Sequence, residues 1–149
     1  MARYSASGSQ TLTTSAVTAL GLAAQSTAHR SIVYEMWFGN IGAPADLVTV
    51  HTVQRTTTDG SGTGVTPTAI DMADRASQCT VLENHSSEPT YTANTQVLEI
   101  PLNHRATYRW VAAPGGEIIT PATDNAGIGF TALHASATTD WRVGCMWEE

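Results

Sequence analysis

The sequence predicts an all-β protein of one domain, built as an antiparallel sandwich or barrel. Three observations carry this. Apolar residues recur with a period of two rather than the ~3.6 of a helix. Turn signals punctuate the chain at intervals of roughly 8–12 residues. The surface is written in Thr, Ser, Ala and Gly rather than in charge. Hydrophobic residues fill 42% of the 149 positions and charged residues only 13%, against about 25% in ordinary domains. Thr favours strands, and faces so poor in charge suit burial in an assembly. A chain of this length fits one domain and buries about 68–70% of its unfolded surface, enough for a core without staples.

Residues 1–12 are polar and read as an N-terminal arm that gains order only on a neighbour, leaving 13–149 as the sandwich. The segment 15–25, SAVTALGLAAQ, is Ala-rich but also alternates. Gly21 in its middle costs a helix about 1 kcal/mol, which favours a strand. In SIVYEMWFGN the residues Ile32, Tyr34, Met36 and Phe38 fall on one face, opposite Val33, Glu35 and Trp37. Strands are also expected at 47–56, 78–84, 90–95 and 127–133. In QVLEIPLN the residues Leu98, Ile100 and Leu102 share a face, and Pro101 marks an edge position or a strand end because it cannot donate to a ladder. Tyr108 and Trp110 alternate with Arg109 and Val111. In the closing strand Trp141, Val143, Cys145 and Trp147 line one side. Turns are expected at Gly39-Asn40 with Gly42 and Pro44, Asp59–Pro67, Ser86–Pro89, Pro114-Gly115-Gly116 and Asp124-Asn125.

The formal net charge is −6, and all seven basic residues are Arg. An acidic chain with scattered Arg has no basic patch, which argues against nucleic acid and against an anionic membrane surface. Arg in place of Lys suits bidentate contacts at subunit boundaries, or reflects codon bias in a high-GC source. No stretch approaches ~18 continuous apolar residues. MARYSASGSQ has no apolar segment after its Arg, so no signal peptide is expected and synthesis in a cytoplasm is. Cys79 and Cys145 are expected as buried thiols, with a disulfide as the alternative.

The glycine run DGSGTGVTP poses the sharpest chemical question, because such a run can curl its N–H groups around an anion. A phosphate-binding loop would need a Lys that this chain lacks, and a dinucleotide fingerprint would need a helix where Pro67 stands. A loop between two strands is therefore expected. The following excursion, Val65 to Gln78, carries apolar anchors at Ile70 and Met72, with Asp71, Asp74 and Arg75 about them. It is expected to lie on the domain's own surface or on a partner's, with Asp71 or Asp74 paired to Arg75 or another Arg rather than binding a cation. His29, His51, His85, His104 and His134 show no metal-ligand spacing, and no G-x-S-x-G elbow is present. No cofactor, metal or enzymatic role is expected. Trp37, Trp110, Trp141 and Trp147 are open to a core, an interface or a sugar-platform reading.

The MARY start, the strand HRSIVYEMWFGN, the loop TTDGSGTGVTPTAIDMADRASQCTV and the closing WRVGCMWEE resemble the small decoration, or cement, proteins of tailed-phage heads. The resemblance covers nearly the whole chain and implies a jelly-roll-like β-sandwich. It further implies a structural virion protein, made in the host cytoplasm and docked on the outside of an icosahedral capsid. The partners implied are the major capsid protein and further copies of the chain in a homotrimer. Arg3 and Tyr4 of the arm, with Pro67, Ile70, Asp71, Met72, Asp74 and Arg75 of the long loop, are the expected subunit or capsid contacts. Four Trp and two Cys depart from the family's pattern. The alternative is a glycan- or receptor-binding sandwich of a phage tail or fibre, with Trp37 or Trp110 stacking on sugars; a metal enzyme on a jelly roll is a third option.

Overall fold

The structure, a computed structural model, describes residues 1–27, 29–42, 45–133 and 139–149. His134 and the turn proline Pro44 lie outside the described residues. Among those described are twelve strands and no helix. In chain order they are β1 (Arg3–Thr11), β2 (Val17–Ala24), β3 (Ile32–Ile41), β4 (Val48–Thr58), β5 (Ser61–Gly64), β6 (Thr68–Ala69), β7 (Cys79–Ser87), β8 (Thr90–Asn103), β9 (Tyr108–Val111), β10 (Ile118–Ile119), β11 (Gly127–Leu133) and β12 (Asp140–Glu148). They form two antiparallel sheets. One runs β10-β3-β12-β1-β6, with β9 also on β3; the other runs β5-β7-β2-β11-β4-β8. Without β5, β6, β7 and β10, the orders become β9-β3-β12-β1 and β2-β11-β4-β8, an eight-strand jelly roll.

The period-two reading is met most fully in β12. Trp141, Val143, Cys145 and Trp147 are all completely buried between the sheets. Residues 17–24 are a strand, as Gly21 implied. Pro101 lies on β8, which pairs only with β4 and is an edge. The two strands expected at 90–95 and 97–102 are one, β8, whose pairing with β4 shifts register three times and whose Asn94 sits at φ 60°. In β3 the expected alternation breaks. Val33 is buried with Met36 and Phe38, because Tyr34 is an extra residue opposite the Met146–Trp147 step. Such a β-bulge turns the side chains beyond it to the other face.

The expected N-terminal arm is a strand. β1 pairs along its whole length with β12, and its first residues also pair with β6. Tyr4, Ala6 and Gly8 face inward while Arg3, Ser7 and Thr11 face water. Small inward residues hid this alternation, since Ala6 and Gly8 do not read as a hydrophobic stripe. The glycine run also differs from expectation. Gly60, at φ 70°, makes a left-handed turn and Ser61–Gly64 then form β5, the edge of the second sheet.

The β4–β5 and β7–β8 connections fold over the outer face of the second sheet. The His85 ring nitrogens contact the carbonyls of Thr18 and Asp59, each at 3.2 Å. Glu88 accepts hydrogen bonds from the backbone N–H and hydroxyl of Thr18. Tyr91 lies against the backbone of Gly129, where any side chain would collide with its ring. Between β5 and β7 the long excursion rounds the edge of the sandwich, lays β6 against β1 in the first sheet, and returns.

Candidate interaction surface

One end of the sandwich gathers both chain ends and the long excursion; it is called the terminal end below. Ala2 N–H donates to Glu149 O at 3.2 Å and Glu149 N–H donates back to Ala2 O at 3.0 Å. Ile70 N–H donates to Arg3 O at 2.8 Å, and the Tyr4 hydroxyl donates to Arg75 O at 2.9 Å. The expected contact residues from the start of the chain and from the loop are thus neighbours. They are not all surface. Tyr4 is fully buried against Trp147, with ring centroids 5.8 Å apart, so it supports the surface from beneath. Pro67 and Asp74 are half-buried, whereas Arg3, Ile70, Asp71, Met72 and Arg75 are exposed.

The excursion ends in a fixed knob. Asp74 N–H donates to Asp71 O at 3.0 Å, and Ala73 N–H donates to Asp71 Oδ1 at 2.9 Å. This turn, in which an Asp side chain bonds its own backbone, holds Met72 out with 98% of its surface exposed, beside Ile70 at 44%. Neither Asp71 nor Asp74 forms the expected ion pair with Arg75 or another Arg among the described residues, and the Asp71 carboxylate serves the turn instead. The one ion pair among the described residues is Arg109 Nε to Glu35 Oε1 at 2.6 Å, on the outer face of the first sheet. It holds the Glu35 carboxyl below its ordinary range, chiefly through that hydrogen bond.

Glu149 fastens the loop from below and was not visible in the sequence. Its carboxylate accepts Ser77 Oγ–H at 2.5 Å, Gln78 N–H at 2.8 Å and Trp147 Nε1–H at 3.0 Å. Burial raises its pKa, but these donors outweigh burial and hold the carboxyl below the usual range. Ser31 and Thr120 hydroxyls meet at 2.7 Å nearby, closing the β2–β3 and β10–β11 connections onto each other. Cys79 and Cys145 are both free and buried, as expected. Burial, followed by the charge of Glu149, pushes the Cys79 thiol up to about 12. Among the described residues no group of three His, Cys, Asp or Glu is placed to hold a metal ion.

The opposite end, where β3, β8 and β11 finish and β4, β9 and β12 begin, has a different interior. There His51 is 1% exposed with its ring 5.0 Å from that of Trp141 and 5.8 Å from Phe38. The His104 ring nitrogen meets the Thr49 hydroxyl, and Asn40 Nδ2 donates to His104 O at 3.3 Å. Of the tryptophans, Trp141 and Trp147 are core, and Trp110 packs against the core from β9. Trp37 is the exception, lying over Gly144 on the outer face of the first sheet. Comparison with protein-family models, with curated proteins and with solved structures returns no match.

Proposed function

We propose that this chain is a structural virion protein that decorates and stabilises an icosahedral phage capsid, docking on its outer surface through the terminal end. The observation that carries the reading is Met72. An apolar side chain 98% exposed beside the exposed Ile70 has its surface to bury against a partner, and the hydrogen-bonded turn fixes the backbone that carries it before binding. Arg3 and Arg75 stand exposed around it and supply a rim that meets carboxylates or carbonyls of the major capsid protein. Weak single contacts of this kind sum to strong avidity when copies sit together on a lattice, as in a trimer. The reach of a free arm is no part of this reading, since residues 3–11 are a strand.

The test mixes purified protein with expanded, undecorated capsids and sediments them. Ile70→Ser with Met72→Ser is expected to abolish co-sedimentation while the melting temperature stays unchanged; full binding by this variant would remove the proposal. Light scattering on the free protein is expected to give about three times the 15.8 kDa chain mass.

A second reading, a glycan- or receptor-binding sandwich of a phage tail or fibre, is favoured by Trp37. Its indole lies over Gly144 beside the Arg109–Glu35 pair, and an aromatic face flanked by planar hydrogen-bonding groups suits a sugar ring. A glycan array separates the two readings, and a decoration protein is expected to bind nothing on it.

A further inference from the structure

Side chains from both sheets meet under the end that carries His51. Asn40 of β3 and Trp141 of β12 are register partners in one sheet, His51 comes from β4 of the other, and His104 stands in the β8–β9 connection. Among the described residues neither ring nitrogen of His51 has a hydrogen-bond partner, and Trp141 Nε1 has none. A ring held this way, 1% exposed, fills space as an apolar plug only while neutral, for its charged form is shut away from solvent and meets no acceptor among the described residues.

The neighbours of His51 offer no compensation. Along β4 its inward neighbours are Thr49 and Val53; across the pairings it meets Ala132 of β11 and Ile100 of β8; from the facing sheet come Phe38 and Trp141. The one ionisable group facing it among the described residues is His104, which supplies no negative charge. Burial, and then the proximity of His104, pushes His51 down from 6.5 to about 4.

We propose that His51 makes this end of the sandwich an acid-sensitive opening: the neutral ring holds the two sheets together there, and its protonation parts them before the rest of the molecule unfolds. A site that takes up its proton near pH 6.5 when open and about 4 when closed raises the open-to-closed ratio about 100-fold between pH 7 and pH 4.

Amide hydrogen exchange, corrected for its intrinsic pH dependence, reads this directly. Between pH 7 and pH 4, amides of Val50–Val53 and Phe38–Asn40 are expected to lose about 100-fold of protection, while those of Val33 and Val81 keep theirs. His51→Leu is expected to remove the difference between the ends. Equal loss at both ends, or an unchanged loss in His51→Leu, overturns the proposal. Should that variant fail to fold, a ring titration of His51 in the unaltered protein by nuclear magnetic resonance decides. A ring still neutral at pH 5 supports the proposal, and one that charges near pH 6.5 with the sheets closed overturns it.

Discussion

Trp147 and Trp141 are both fully buried on β12, yet they stand in opposite surroundings. The Trp147 indole N–H donates to Glu149, a carboxylate that also receives Ser77 and Gln78. Among the described residues the Trp141 indole N–H has no partner, and the His51 ring beside it has none for either nitrogen. Among the described residues, then, the Trp147 end pairs its indole while the other end leaves Trp141 and His51 bare, each at a cost of about 1–3 kcal/mol. The two ends also respond to acid in different windows. The His51 pKa is lowered on folding, so its neutral ring supports the fold above 6.5, and that support is lost as pH falls from 6.5 to about 4. Glu149 is also lowered, from 4.5, so its contribution is complete above that value and goes only as pH falls through the lowered one. In acid the histidine end yields first.

The comparison can be broken most severely by deleting residues 2–11. Because β1 lies between β12 and β6, the shortened chain is expected to lose its cooperative melting transition and its strand signal in circular dichroism. Next in size, Glu149→Ala strips the partner from Ser77, Gln78 and Trp147 and is expected to cost about 2 kcal/mol in urea denaturation at pH 7. Its effect should shrink as pH falls below 4.5. Paired substitutions sharpen the contrast further. Trp147→Phe should cost about 1 kcal/mol more than Trp141→Phe, since only the first removes a hydrogen bond; equal losses would erase the distinction between the ends. Smallest of all, Arg109→Ala should shift the denaturation midpoint only slightly, because the Arg109 side chain of its ion pair with Glu35 is 67% exposed.

The strands that face a large core were legible. β12 carries Trp and Val at every second position, β11 was bounded correctly at both ends, and Pro101 marked an edge. What stayed hidden depended on contacts between distant residues. β1 was hidden because its inward residues are small, and Gly8 is small because Ala19 and Glu83 press against it. The bulge at Tyr34 is a property of two strands read together. At the terminal end, proximity of Arg3 to Ile70 followed from no spacing in the chain, and nothing singled out Glu149. His51 was legible as a mid-strand histidine, but its bare nitrogens required knowing that Phe38 and Trp141 enclose it.

The two buried thiols give this molecule a clock of its own. An alkylating reagent attacks thiolate, not thiol, and burial holds both Cys79 and Cys145 protonated at neutral pH. Alkylation must therefore wait for the protein to breathe. Cys79 lies beneath Glu149 and Ser77, and Cys145 deep on β12 opposite Ala6 and Met36, both away from His51. Their rate of labelling counts the openings that uncover the fastened end, and under the proposed docking a partner seated there would slow the count.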